Sequence, residues 1–231
     1  TRSWRLFDRQ ALNHRLRKPL FTAISRRKAQ RKTTFKHWEL GLLYSYNRDF
    51  LSNSIYRESL DPRSLIASSA VYSHNVSLDL KYRFNPRWLL RFQWQPSRDL
   101  HLRYNTYAEG QYIGKELQLN FSQYGLGFEH HLPMAIGRQR FNMVLGAQAT
   151  YGQFNRAQNF IGRIDERYQD AYGLQFNLGQ DWHSGPLVLS YGLRTDFNFN
   201  NLYRGHGAIP AAFDRTWYRS WGLYIGSYYR F

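Results

Sequence analysis

Cysteine is absent from the 231 residues, which excludes disulfides and thiolate-held metal centres. Only seven prolines occur, so extended segments can run long before one interrupts the ladder. No stretch approaches the ~20 consecutive apolar residues that a membrane-crossing helix requires. No strand face carries a His-x-His or a His/acid cluster, so no metal site and no cofactor are expected. The chain opens on Thr1 without a Met or a charged-then-apolar leader. The expectation is a mature or truncated product whose signal or upstream domain lies out of view.

Aromatics, by contrast, are plentiful. Tyr, Phe and Trp make up 18% of the chain, yet the mean hydropathy is −0.65. An average this polar reads as water-soluble unless apolar and polar residues alternate, in which case they cancel. The length allows one large β domain or two small ones.

Basic residues are concentrated at one end. Residues 1–36 hold 12 of the 32 Lys and Arg but only one of the 16 acids, Asp8. The densest part is Arg26, Arg27, Lys28, Arg31 and Lys32. Upstream, Trp4, Phe7, Leu12, Leu16, Leu20 and Ile24 recur at loosely helical spacing. Residues 1–35 therefore read as a basic arm or linker that meets an anionic membrane or a partner. Residues 36–231 read as a separate β domain.

In that domain the period is two. Strands are expected over 35–46, 76–84, 88–95, 117–130, 140–151, 171–182, 187–199 and a final stretch ending at Phe231. An apolar phase shift between Phe121 and Tyr124 suggests a bulge. Asn85-Pro86-Arg87, residues 131–139 and His183-Ser184-Gly185-Pro186 read as short connections. Residues 47–75, 96–115, 152–170 and 200–215 read as long ones, with the 96–115 hairpin extending beyond a membrane. Trp38, Phe84, Trp88, Trp182 and Phe231 gather near the short connections. Tyr46, Trp94, Tyr151 and Trp217 gather near the long ones, so two aromatic girdles are expected.

The closing octapeptide, YIGSYYRF, carries a more specific signal. Trp221, Leu223, Ile225, Tyr229 and Phe231 share one face, and the chain ends on an aromatic. Tyr224, Gly226, Tyr229 and Phe231 resemble the C-terminal insertion signal of outer-membrane β-barrels. With the alternation, residues 36–231 resemble the small eight-stranded outer-membrane barrels of Gram-negative bacteria. The resemblance implies an all-β, transmembrane, antiparallel up-and-down barrel of eight strands. Short turns and both termini would be periplasmic, making the arm periplasmic. Implied partners are outer-membrane lipids with lipopolysaccharide outside, the barrel-assembly machinery during insertion, and other outer-membrane proteins or surface lipoproteins.

Inside such a barrel the alternation places Glu39, Asp79, Lys81, Arg83, Arg91, Glu129, Asp181, Arg194 and Asp196. Eight strands enclose a space that side chains fill, and buried charges must pair. The expected interior is a polar network with no open pore. Catalysis would need a nucleophile beside a base. Ser73-His74 and His183-Ser184 are adjacent on strands and point to opposite faces. His130-His131 sits at a short turn, where a solvated polar residue is the ordinary reading. His101 and His206 lack a partner at recognisable spacing. No enzyme activity and no nucleic-acid partner are expected. The function that follows is an anchor or scaffold binding partners through external loops and the arm, as the C-terminal barrel of a larger trans-envelope protein or as a subunit of an outer-membrane complex. A barrel lipase, acyltransferase or protease, or a narrow channel, is the alternative.

Overall fold

Alternating sequence becomes strand after strand in the computed structural model, which describes residues 37–52, 66–69, 71–108, 111–136, 139–159, 162–163, 168–204 and 215–231. Eight long strands follow in order: β1 Trp38–Ser52, β2 Val71–Arg83, β3 Trp88–Ala108, β4 Gln111–Ile136, β5 Gln139–Asn159, β6 Ala171–Ser184, β7 Leu187–Asn198 and β8 Trp217–Arg230. Each pairs antiparallel with the next, and β8 returns to β1 from Glu39↔Arg230 to Ser52↔Trp217. The sheet thus closes on itself, which leaves no edge through the barrel wall. Two short strands outside the ring, Ile66–Ser69 and Gly162–Arg163, add to β3 and β5.

Register fixes the barrel's size. Cα partners lead from Leu40 through Leu80, Phe92, Leu126 and Ala149 to Leu174, Phe197, Arg219 and back to Phe50. One circuit climbs β1 from residue 40 to residue 50, a shear of ten. With strands ~4.8 Å apart and a rise of ~3.3 Å per residue, the tilt is roughly 40° and the radius about 8 Å. Such a bore has room for side chains and little else.

Burial is inverted relative to a water-soluble domain. The large apolar side chains of the lower and middle barrel point outward: Leu42 is 59% exposed, Leu126 56% and Leu223 60%. Charged and amide side chains point inward, with Glu39, Asp79 and Gln175 fully buried. Trp38, Phe84, Trp88, Trp182 and Phe231 ring the short-turn end on the outside. Tyr46, Tyr72, Trp94 and Tyr172 ring the other, with Tyr46 stacked on Tyr72 at 5.3 Å. Eight steps from Trp38 to Tyr46 at that tilt span about 20 Å, and the rings themselves complete the ~25 Å apolar band of an outer-membrane barrel. The chain is a transmembrane β-barrel of the outer-membrane type.

The 96–115 stretch carries the hairpin past the apolar band, as its alternation suggests, with β3 and β4 paired from Trp88↔His130 to Ala108↔Gln111. The strands flanking residues 47–75 and 152–170 are longer than read, with β1 reaching Ser52 and β5 reaching Asn159. At the other end, Ile136 pairs with Gln139, and Ser184 pairs with Leu187 across Gly185-Pro186. Gly185 supplies the positive φ, 60°, at the first central position of that hairpin.

The phase shift in β4 has a different cause from a bulge within that strand. Leu117, Leu119, Phe121, Gln123, Glu129 and His131 all point inward at an unbroken spacing of two. What changes is the interior, which turns from polar to apolar at Phe121. The extra residues sit on the flanking strands: Gln95 and Arg98 of β3 pair with Gln123 and Phe121, so Pro96 and Ser97 oppose Ser122 alone. In β5, Phe154 and Arg156 pair with Phe121 and Asn120, leaving Asn155 over. Proline removes a ladder donor and is tolerated at such a bulge. Side chains knit the irregularity: Asn155 Nδ2 donates to Asn120 Oδ1 at 2.9 Å, Asn120 Nδ2 to Ser97 Oγ at 2.8 Å, and Ser122 Oγ to the Pro96 carbonyl at 2.9 Å.

Candidate functional site: a filled interior under an apolar cap

The inward side chains form layers along the barrel axis. At the short-turn end, Glu39 of β1 takes Arg83 of β2 at 2.9 Å and Arg230 of β8 at 2.8 Å. One layer up, Arg91 of β3 joins Asp79 of β2 and, at 3.0 Å, Glu129 of β4. Lys81 completes this layer, 2.8 Å from Glu129 with its ammonium 4.0 Å from the centre of the Tyr228 ring. Tyr228 in turn donates to Asp79 at 2.9 Å. His131 lies buried between two carboxylates, 3.6 Å from both Glu129 and Asp181.

The middle is uncharged and hydrogen-bonded. Gln148 donates to Gln93 at 2.7 Å, Gln93 to Ser77 at 2.8 Å and Gln95 to Asn75 at 2.9 Å. Above it a second ionic layer centres on Asp196, which takes Arg194 at 3.1 Å and Arg98 at 3.4 Å. Arg98 also donates to Ser220 at 2.8 Å, approaches Asp49 at 4.0 Å and lies 4.8 Å over the Tyr218 ring.

Over this layer the interior becomes apolar. Leu51, Leu100, Leu102, Leu117, Leu119, Phe121, Ala157, Tyr168, Ala171, Leu202 and Tyr218 form one buried cluster, with Phe154 and Tyr203 packed against it. These residues come from the long-loop ends of β1, β3, β4, β5, β6 and β8 and from the segments just before β6 and after β7. The outer face here is polar: Arg103, Asn155, Arg156 and Gln158 are exposed, and Glu116 joins His101 at 2.7 Å and Arg103 at 3.2 Å. Burial works against the Glu116 carboxylate, but the His101 hydrogen bond and the Arg103 charge hold its pKa below the ordinary value. Inside and outside have exchanged their chemistry, as expected of a segment that leaves lipid for water. The barrel therefore continues past the apolar band as a small water-facing β structure whose core covers the mouth.

All nine charged residues assigned to the interior from sequence lie there, none more than 7% exposed. They divide into two groups, Arg194 and Asp196 above and the rest below. Sequence reading missed Arg98 and His131. Arg98 follows the bulge and so stands in the opposite phase to Arg91 and Gln93, whereas His131 simply continues the β4 alternation past its supposed turn.

Of the terminal signal, Tyr224 is buried, and Tyr229 and Phe231 are 52% and 54% exposed on the apolar band. The Tyr224 hydroxyl reaches across to Gly179, where an added Cβ would meet it at 2.1 Å. Arg26, Arg27, Lys28, Arg31 and Lys32 lie outside the described residues, as does His206. Among the catalytic candidates, Ser73 is buried while His74 faces outward against Tyr44. His131 is buried while His130 packs on Trp88 at 4.3 Å. His183 contacts Asn142 and Arg230 near the turn, with Ser184 exposed. No group of three or more His, Asp or Glu side chains among the described residues is arranged so that it could hold a metal ion.

Neither a family model nor a curated protein sequence matches the chain. Solved structures do. Neisserial surface protein A is 17% identical with a TM-score of 0.46, over 84% of this chain and 97% of that one. The attachment invasion locus protein of Yersinia pestis, solved with the heparin analogue sucrose octasulfate, is 12% identical with a TM-score of 0.35, over 84% and 99%. The translocator domain of the autotransporter NalP from Neisseria meningitidis is 9% identical with a TM-score of 0.36, over 97% and 98%. The assignment as a membrane barrel rests on this chain's own closure, shear and inverted burial.

Proposed function

We propose that the protein is a non-enzymatic anchor and scaffold of the bacterial outer membrane, binding other outer-membrane proteins or surface lipoproteins through its long-loop end. Short turns and both chain ends face the periplasm in this reading, where the basic arm meets an anionic leaflet or a further partner. The observation that carries it is the apolar cap. A pore needs a continuous wet path, whereas here two ionic layers and an amide layer lie beneath a cluster of leucines and aromatics. An enzyme needs a nucleophile and base within reach of each other. The histidines beside serines are split between the two faces of the wall. What remains is a rigid wall bearing a projecting β structure, which suits presentation of a surface.

Two measurements on purified, heat-modifiable protein test this. In planar lipid bilayers the protein is expected to give no unitary conductance steps, and reproducible steps would restore the channel reading. Lipase, acyltransferase and protease assays are expected to show no turnover. Turnover that disappears in His74→Ala or His101→Ala would restore the enzyme reading. Proximity labelling from the long-loop end in intact cells is expected to recover outer-membrane or lipoprotein neighbours, and periplasmic proteins alone would reverse the orientation.

A further inference from the structure

Two arginines stand outside the interior networks at the upper rim of the barrel. Arg48 of β1 and Arg219 of β8 both project outward. Arg48 pairs with Trp221, and Arg219 pairs with Phe50, so the two arginines are diagonal neighbours on one face. Such diagonals hold Cβ atoms ~7–8 Å apart, close enough for two long side chains to reach one group between them. Each stands two residues beyond the aromatic band, Arg48 past Tyr46 and Arg219 past Trp221, which is headgroup level.

Neither has an acidic partner among the described residues. The nearest acid in sequence, Asp49, is turned into the barrel and 3% exposed. The Arg48 guanidinium is held 4.8 Å over the Phe50 ring, and its Nε is buried with no acceptor. That stacking sets the guanidinium beside Arg219, which pairs with Phe50, and leaves its terminal nitrogens rather than the enclosed Nε to meet a ligand. Two like charges held side by side without an acid between them fit a shared anion. Planar guanidinium forks match phosphate oxygens in pairs, and such charge-assisted bonds are the strong ones.

Directly below lies a place for an acyl chain. Trp221 forms one end of an apolar concavity of about 910 Å³ on the outer wall. It runs past Thr195, Leu193 and Phe176 to Ala147 and Phe128, with Ala147 supplying the low floor between larger neighbours.

We propose that Arg48 and Arg219 bind the phosphate of an outer-leaflet glycolipid of the lipid A class, with an acyl chain laid against the wall below Trp221. The site rests on the outer-membrane orientation given above, because only there does the long-loop rim meet a phosphorylated glycolipid.

Native mass spectrometry of the full chain in detergent tests it, offering diphosphorylated lipid A, the same lipid after phosphatase treatment, or inorganic phosphate. Wild type is expected to retain diphosphorylated lipid A at least about tenfold better than the dephosphorylated lipid, from the loss of charge-assisted hydrogen bonds. Arg48→Gln/Arg219→Gln is expected to lose that preference while keeping its heat-modifiable mobility, and Arg48→Lys/Arg219→Lys to regain part of it. Equal retention of the two lipids by wild type would overturn the site, and that comparison requires no variant to fold. Displacement of the lipid by millimolar inorganic phosphate would overturn it too, leaving a free-phosphate site. Fractionation of the same cells separates the two readings: recovery outside the outer membrane defeats the localisation, whereas recovery there without lipid preference defeats only the site.

Discussion

Phe121 and Phe128 stand on the same strand, seven positions apart, and serve opposite media. Phe121 is 2% exposed within the capping cluster, and Phe128 is 53% exposed on the outer wall. An odd separation on an uninterrupted strand must place them on opposite faces. Phe121 packs edge-on against Phe154 at 5.7 Å, and Phe128 meets Phe84 at 6.5 Å. The first is buried from water by protein. The second is buried by lipid alone.

Removing the two rings should therefore give different phenotypes. Phe121→Ala leaves a hole in the cap and is expected to cost about 3–5 kcal/mol there. Phe128→Ala exchanges ring for lipid and should cost well under that, since lipid fills the space. Limited proteolysis reads the difference: Phe121→Ala should be nicked in the β3–β4 projection while the rest of the barrel keeps its heat-modifiable mobility. Equal resistance in the two variants would mean that the cap does not stabilise the projection.

That contrast also marks where the sequence was legible. Eight strands, the inward charges and both aromatic girdles follow from alternation, because lipid and a filled bore impose opposite chemistry on successive residues. The projection was hard to read because water and a protein core reverse the sign of the same alternation. Leu117 and Leu119 look like residues in the lipid phase of a shifted strand, yet they are inward residues of an unshifted one. Arg98 was lost for a related reason: Pro96 and Ser97 invert the phase of β3, and only the pairing with β4 reveals it. Long-range contacts such as Tyr228 with Asp79 leave no mark on either strand's own pattern.

Gly179 gives a test of the terminal signal. A Cβ there would meet the Tyr224 hydroxyl at 2.1 Å and the Tyr191 carbonyl at 2.5 Å. Gly179→Ala should destabilise the barrel by about 1–3 kcal/mol through overpacking. Tyr224→Phe removes one of the two clashes, so the double variant should recover part of the loss. Urea unfolding in lipid vesicles measures both. A double variant no better than Gly179→Ala would show that Tyr224 does not depend on the space beside that glycine.

The projection should loosen in acid. Glu116 bridges His101 and Arg103, and its pKa lies below the ordinary 4.5. A depressed carboxylate contributes stability above its unfolded pKa and loses it as pH falls through the folded value. The window therefore opens below pH 4.5 and extends to the lower folded value. Protease sensitivity of the β3–β4 tip should rise across that range in wild type, and Glu116→Gln should show raised sensitivity at neutral pH with a smaller acid-dependent change. An unchanged acid response in Glu116→Gln would assign the effect to another group.

Glu129 is the acid on which the lower ionic layer depends. It takes Lys81 at 2.8 Å and Arg91 at 3.0 Å, both cations at most 2% exposed. Arg91 keeps its direct contact with Asp79 if Glu129 is neutralised, whereas Lys81 loses its one direct carboxylate contact and keeps the face of Tyr228 and the more distant charges of Asp181 and Glu39. Removing one partner of a buried ion pair strands the other and typically costs about 3–5 kcal/mol. Glu129→Gln should fall in that range, and Lys81→Met added to it should restore most of the loss, because no unpaired ammonium then remains. Arg91→Met in place of Lys81→Met should restore less, since it strands Asp79 in turn. Urea unfolding of the three variants in lipid vesicles ranks them. If Arg91→Met rescued Glu129→Gln better than Lys81→Met, the charge left stranded would be the guanidinium and the pairing in this layer would be wrong.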